Sequence, residues 1–330
     1  MKIVVPAREL YQIEQIVTTE ADEFYCGCIF DSWKNEFGSI IEYNRRGNFG
    51  EKANFGNTRV LEKAIQLAKL YNKKISLTIN CLKLYKEEIP LINEMMIEYK
   101  QMGGKSVIVS DLDALACAKK NDLNITISSC ATVNNVQLAK FYRDQGATRI
   151  IFPRDMQIRE MREIVEEVPQ MEFEAFIMNN PCKFTDGNCL GLHDTNKGSL
   201  CKYLDEVYVE VEYIKNVTDN YKYKYRQNEY FYKQFFANAC GLCAIYELIQ
   251  SGIAAVKIVG RLLPTSEIID TIVKVADCIR KAEKANNERN YFYQIRHIYD
   301  NAYCRNGLNC YYPETFKLLS KVREDEYSGF

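Results

Sequence analysis

The sequence predicts an α/β protein closed as a (β/α)8 TIM-type barrel, a single domain over residues 1–330 with a cysteine-bearing insertion after strand seven. Three observations predict it. Short β-branched runs recur along the chain, each followed by a segment with helical period, as a parallel sheet with right-handed crossovers requires. Eight such units can be counted, the number that closes a barrel. One connection, residues 178–240, is about sixty residues long, far beyond a normal βα loop and so expected to be functional or to carry its own structure.

Taken in order, Ile3 to Val5 is the first strand, followed by a helix from about Glu9 to Thr19. Glu23 to Cys26 is the second, followed by a long loop from Cys28 to Gly56 and a helix from Asn57 to Tyr71. Ile75 to Ile79 precedes a helix from Glu87 to Met102, and Val107 to Val109 precedes one from Asp111 to Lys120. Ile125 to Ile127 leads to Asn135 to Gln145, and Ile150 to Phe152 leads to Ile158 to Val168. Met171 to Ile177 is the seventh strand; Ala255 to Val259, followed by a helix from Ser266 to Ala285, is the eighth. Inside the insertion, Val207 to Ile214 and Tyr221 to Tyr232 read as the arms of a β-hairpin turning at Asn216 to Asn220.

Hydrophobic residues make up 47% of the chain, enough to bury a sizeable core and to exclude a disordered protein. The net charge of −1 argues against a strong overall grip on nucleic acid. No apolar run approaches the ~18 residues of a membrane span, and the opening residues do not make a signal peptide. The expected location is cytoplasmic. In that compartment thirteen cysteines do not make a disulfide framework. Cys117 and Cys278 fall within helical patterns and are expected to be buried; the surplus calls for a metal or redox reading.

Cys182, Cys189, Cys201 and Cys240, with Cys243 close behind, lie in or beside the insertion. Four thiolates suffice for an iron–sulfur centre, and the polar segments between them would let the backbone wrap a cluster. Asp186-Gly187 supplies turn chemistry between the first two. Zinc is a weaker alternative, since only Cys240-Gly-Leu-Cys243 has its paired spacing; unrelated core thiols are another. His193 and His297 are the two histidines, and no metalloprotease, nucleophile-elbow or P-loop motif is present. The cluster Asn44-Arg45-Arg46 reads as a solvated loop or as an anion site. The tyrosine-rich stretch with Lys222, Lys224 and Arg226 reads as an amphipathic hairpin arm or as a base-stacking surface.

IVVPAREL, ADEFYCG, ISLTIN, SVIVSDL, ITISSCATVNN, RIIFPRDM, EFEAFIMNNPC, GIAAVKIVGR and YCRNGL succeed one another along the chain. In that order they resemble the collagenase-like peptidases, family U-thirty-two. The similarity spans nearly the whole chain. It implies a [4Fe–4S] cluster with Cys182, Cys189 and Cys201 as the first three ligands. Asp205 stands near the usual position of the fourth, so Cys240 is expected to take its place, with Cys243 in reserve. Met178, Asn179, Cys130 and Val259 depart from the pattern, whereas Lys257, Gly260, Arg261, Asn80, Asn135, Arg154 and Glu174 match it.

The resemblance further implies an oxygen-independent hydroxylase-like enzyme, with prephenate as oxygen donor. Alternatives are a peptidase and a non-catalytic iron–sulfur partner subunit of a hydroxylation complex. Arg154 and Arg261 would clamp a carboxylated donor, with Glu174 and Lys257 beside them as catalytic candidates. Asn80, Asn135, Arg45 and Arg46 are substrate-binding candidates. A small molecule or peptide is the expected substrate, ahead of RNA, and a homo- or heterodimer is open.

Overall fold

The computed structural model describes residues 1–38, 41–179, 186–188, 193–194, 198–199, 239–296 and 310–315. Its strands are β1 (Lys2–Pro6), β2 (Glu23–Cys26), β3 (Lys74–Ile79), β4 (Ser106–Val109), β5 (Asn124–Ile127), β6 (Ala147–Ile151), β7 (Glu172–Met178) and β8 (Ala255–Ile258). All eight pair in parallel, each beside its neighbours in sequence, and β8 returns to β1 to close the barrel. The expected (β/α)8 fold is therefore the observed one.

Around it run α1 (Leu10–Ile16), α2 (Asp31–Phe37), α3 (Thr58–Leu70), α4 (Ile89–Gln101) and α5 (Leu112–Lys120). Beyond these come α6 (Val136–Asp144), α7 (Ile158–Glu167), α8 (Ile245–Gln250), α9 (Thr265–Lys284) and α10 (Glu288–Ile295). Several begin at caps legible in the sequence: Asn57, Asp111, Asn135 and Asn287 each accept a backbone N–H of the first turn. None of the described helices is long and apolar enough to cross a membrane. Cys117 and Cys278 are buried in α5 and α9 as expected.

Three expectations need correction. Residues 28–56 are not a plain loop: they hold α2 and a 3-10 turn at Gly47–Lys52, with Trp33 buried edge-on to Tyr43 at 4.7 Å. β6 begins three residues earlier than Ile150, because Arg149 is a strand residue pointing into the barrel. α10 was not foreseen. The expected hairpin over residues 207–232 lies outside the described residues, as do Cys182, Cys189, Cys201 and His297.

Alternation along each strand sends one set of side chains to the helices and the other into the lumen. The outward set is apolar, including Phe24, Leu77, Val107, Ile150, Phe173 and Val256. Barrels of this class are usually filled by Val, Ile and Leu. Here the lumen instead carries Glu23, Ser76, Arg149, Glu174 and Lys257, all buried. Strands β2 and β6 are four places apart whichever way the barrel is counted, so they face each other across it. Arg149 of β6 spans that gap, donating from Nη1 and Nη2 to the two oxygens of Glu23 at 2.7 and 2.8 Å. The same guanidinium donates to Glu174 at 3.1 Å and to Glu172 at 2.5 Å. Lys2 donates to Glu172 at 2.7 Å, and Lys257 to Glu174 at 2.8 Å. A buried charge needs such partners, and this network supplies them from opposite walls.

The network sets a pH dependence. Burial by itself would raise Glu172, but hydrogen bonds from Lys2 and Arg149 outweigh it and hold the carboxyl down to about 2. Burial likewise acts to raise Glu23, and Arg149, helped by Lys74 and Lys2, brings its carboxyl below the ordinary value. The unfolded chain therefore binds these protons more readily than the folded one. Their stabilisation is complete above about 4.5 and fades as pH falls toward 2. The urea midpoint is expected to fall steadily across that window; a midpoint unchanged from pH 5 to 3 would contradict the network's role.

Candidate active site at the C-terminal mouth of the barrel

Loops at the C-terminal ends of the strands build the active sites of (β/α)8 enzymes. The segment after β2 folds over this mouth and is held by side-chain amides. Asn44 donates to Asn54 Oδ1 at 2.7 Å, and Asn54 donates to the carbonyls of Gly50 and Arg46 at 2.8 and 3.1 Å. Gly27 lies against this pair: a Cβ there would come within 1.9 Å of Asn54 Oδ1 and 2.1 Å of Asn44 Nδ2. Only glycine leaves room for the amides. Asn44-Arg45-Arg46 is thus not a solvated loop; Asn44 is buried and both arginines are largely covered.

Arg261, just past β8, is 7% exposed and fastens the segment from below. Its Nη1 donates to Asn44 Oδ1, Asn54 Oδ1 and the Ala53 carbonyl at 3.3, 3.1 and 3.4 Å, and its Nη2 to Thr78 Oγ1 at 3.2 Å. All four acceptors are neutral. Burial, reinforced by Arg45, pulls its pKa below the ordinary guanidinium value, against the smaller opposing effects of Tyr25 and Cys26.

Across the mouth, Arg45 and Arg154 converge on Asp186. Arg45 Nη1 reaches Asp186 Oδ1 at 2.5 Å; Arg154 Nη1 bonds the same oxygen, and its backbone N–H donates to Oδ2 at 3.4 Å. Arg154 also stacks over the Phe176 ring at 3.7 Å, and Phe176 stacks on Tyr311 at 6.1 Å. Burial would raise the fully covered Asp186, but Arg154 and then Arg45 hold its carboxyl below the usual range. Arg46 stands 5.6 Å over Phe49, and no described carboxylate pairs with it. Burial, then Arg45, Arg261 and Arg154, bring its pKa down to about 10. Four guanidinium groups thus gather at the mouth, two of them sharing the carboxylate of Asp186.

The other foreseen residues divide. Asn80 belongs to the mouth, accepting the Arg45 N–H and donating to Ser128 Oγ, both at 3.3 Å. Asn135 stands apart, exposed, its amide oxygen capping α6 at Leu138 N, 2.9 Å away. Glu174 and Lys257 lie below the mouth, in the lumen network; Lys257 Nζ also sits 3.8 Å over the Tyr25 ring, where burial lowers its pKa against the pull of Glu174. In the sequence Asp186 shows only turn chemistry, because its partners stand 141 and 32 positions away.

The insertion leaves and rejoins the barrel at one place. Met178 and Cys240 pair antiparallel, with Asn179 N to Ala239 O and Gly241 N to Ile177 O both at 2.8 Å. Residues 310–315 seal this stem: the backbone of Cys310 pairs in parallel with that of Cys240, Tyr311 Oη donates to Asn179 O at 2.5 Å, and Tyr312 Oη to Phe176 O at 2.6 Å. Cys240 is partly exposed there, whereas Cys243 is 5% exposed and hydrogen-bonds Cys310. That contact, with burial, holds the Cys310 thiol well above the ordinary range. Among the described residues no three His, Cys, Asp or Glu side chains are grouped to hold a metal. Cys310, unforeseen as a site residue, lies six positions past Cys304 of the YCRNGL motif.

Fold and mouth together define a (β/α)8 protein with a cationic, arginine-lined entrance. A sequence profile described as peptidase family U32 matches residues 8–316, and the chain belongs to that family. It is 30% identical over 106 residues to the tRNA hydroxylation protein P of Escherichia coli, covering 30% of this chain and 23% of that one. It is 24% identical over 184 residues to the protein of that name from Helicobacter pylori, covering 53% and 43%. The 23S rRNA 5-hydroxycytidine C2501 synthase of E. coli is 25% identical over 157 residues, covering 47% and 24%. The chain covers less than half the length of each of these relatives. Among solved structures, the U32 peptidase Mk0906 aligns at a TM-score of 0.45 and 14% identity, over 79% of this chain and 93% of that one.

Proposed function

We propose that this chain is an iron–sulfur-dependent, oxygen-independent hydroxylase-like enzyme that takes an anionic co-substrate, such as prephenate, at its arginine-lined mouth. The observation carrying the reading is the gathering of guanidinium groups there. Arg45, Arg46, Arg154 and Arg261 stand together at the mouth, and covered positive charge of this kind favours an incoming anion. The relatives named for tRNA and rRNA hydroxylation supply the reaction class.

Cys182, Cys189, Cys201 and Cys240 would hold a [4Fe–4S] cluster. Sulfur donors suit such a centre. Cys240 fits as the fourth ligand because it is partly exposed at the stem, and Cys182 follows Asn179 of that stem by only three positions. Cys243 fits less well, being buried against Cys310. The cluster would supply redox and Lewis-acid chemistry beside the mouth. This chain's own residues then have separable duties. Arg45, Arg46 and Arg154 bind and orient the anion, and Arg154 is kept planar against Phe176. Arg261 positions the covering segment. Glu174 and Lys257 are held by each other in the lumen and act as positioning residues beneath the site.

The test is anaerobic purification followed by iron, sulfide and visible absorption, on the wild type and on alanine variants of Cys182, Cys189, Cys201, Cys240 and Cys243. About four irons and four sulfides are expected, lost in each of the first four variants and kept in Cys243→Ala. Zinc, or no metal, would overturn the reading and bring the peptidase alternative forward.

A further inference from the structure

We infer that Arg46 is the residue at the mouth that grips the ligand's carboxylate, and that the Asn44–Asn54 amide pair is the device that positions it. This rests on the reading of the mouth as an anion site and adds which guanidinium makes the contact, what holds it there and which anion it selects.

The donors of the four arginines are not equally committed. Arg45 and Arg154 meet at Asp186, and Arg261 gives Nη1 and Nη2 to neutral oxygens of the covering segment and of β3. Arg46 is different. Among the described residues none accepts a hydrogen bond from its guanidinium, whose contact is the Phe49 ring, 5.6 Å from Cζ. The side chain is largely covered but not sealed, so its donors stay open to the mouth. Burial disfavours its charge, and Arg45, Arg261 and Arg154 then act on it as like charges. A covered cation without acceptors is costly, and an arriving anion relieves both the lost hydration and the repulsion.

The backbone of Arg46, by contrast, is pinned on both sides. Its N–H donates to Asn44 Oδ1 at 2.8 Å, and its carbonyl accepts from Asn54 Nδ2 at 3.1 Å and from the Phe49 N–H at 3.2 Å. Asn44 and Asn54 are themselves buried. Gly47, the next residue, lies so close to Ile41 that a Cβ would come within 1.5 Å of the Ile41 carbonyl oxygen. A tightly fixed segment therefore carries a donor with no described acceptor, and holding a donor ready in this way lowers the ordering cost of binding. Phe49 takes one face of the guanidinium, so an anion meets its edge. One fork of two parallel N–H groups satisfies the two oxygens and single charge of a carboxylate; it leaves the further oxygens and second charge of a phosphate unmatched.

The probe is benzoate, titrated calorimetrically into the whole chain after anaerobic purification. Arg46→Met is expected to weaken binding about tenfold or more. Its thermal midpoint is expected to stay level or rise, because the change removes a covered cation and no hydrogen bond. An arginine with a purely structural role would lower the midpoint instead. Arg46→Lys is expected to recover binding only in part, since an ammonium lacks the fork. Asn44→Ala, which removes the acceptor of the Arg46 N–H, is expected to weaken benzoate about threefold in wild type and not at all in the Arg46→Met background. Should Asn44→Ala fail to fold, Asn44→Ser enters the same cycle: its hydroxyl takes that N–H more weakly, and the smaller loss should again require Arg46.

Benzoate bound by wild type and equally by Arg46→Met would overturn the assignment and leave the anion site standing. Inorganic phosphate bound more tightly than benzoate would overturn the ligand class. A loss from the Asn44 change of the same size in both backgrounds would overturn the positioning role. A wild type that binds neither anion would remove the anion-site reading itself, and this inference with it. None of these readouts depends on iron or turnover, so they stand apart from the cluster measurement.

Discussion

Arg149→Met is expected to lower the free energy of unfolding by about 4 kcal/mol, within the ~3–5 kcal/mol typical of breaking a buried ion network from one side. The single guanidinium answers three carboxylates from two opposite walls, and without it Glu23 and Glu174 remain in the lumen with too little positive charge. Lys2 and Lys74 approach Glu23 no nearer than 3.7 and 3.8 Å, and Lys257 is engaged by Glu174. Arg149→Lys is expected to recover little, because one ammonium cannot present parallel donors to Glu23 while reaching Glu172. The double variant Arg149→Met with Glu174→Gln is expected to regain part of the loss by removing one of the stranded charges. Urea denaturation at pH 7 measures all three. A loss below about 1 kcal/mol for Arg149→Met would mean that water or neighbouring lysines compensate, and the lumen network would not be what joins the two walls.

Arg261→Met is expected to cost about 3 kcal/mol and to loosen the mouth. The change leaves Asn44 Oδ1, Asn54 Oδ1, the Ala53 carbonyl and Thr78 Oγ1 each short of a donor in a place where water has little access, at ~1 kcal/mol or more apiece before relaxation. Gly27 closes the other side of the Asn44–Asn54 pair, so the amides have no room to find new partners there. The segment after β2 would lose its fastening while the barrel strands keep theirs. Limited proteolysis should then cut within residues 41–56 at least tenfold faster than in wild type, with Arg261→Lys intermediate. Unchanged cleavage would show that the amide pair alone holds the segment.

The barrel was legible because its outward strand faces are continuous apolar runs, and β-branched triplets such as Val107 to Val109 announce themselves. Where the lumen side intrudes, the signal weakens: Arg149 looks like a loop residue in the sequence, so the apolar run that marks β6 begins only at Ile150. Short helices without a clean apolar stripe went unseen. α2 hides in DSWKNEF, where one tryptophan supplies most of the burial. At the site, Arg45 and Arg46 stand out in the sequence as a charged cluster in the loop after β2, and Arg154 and Arg261 through the family resemblance. Their division of labour does not. A sequence cannot tell that Arg261 spends its donors on neutral amides while Arg154 meets Asp186, because both choices depend on residues brought together by closure of the barrel. Asn135 carried a helix-capping signal that agreed with its place in the structure, beside a resemblance that suggested substrate contact.

The stem at Met178 and Cys240 changes what the long connection means for the chain's architecture. Two backbone bonds and a tyrosine seal bring Asn179 and Ala239 side by side, so the barrel experiences the intervening residues as a hairpin-sized join between β7 and α8. Because closure entropy grows only with the logarithm of loop length, and the stem fixes the ends at one spacing, residues can be added or removed beyond the Asp186 turn at little cost to the barrel. The connection is in this sense a socket. Its contents can be exchanged while the eight strands beneath it fold to the same plan.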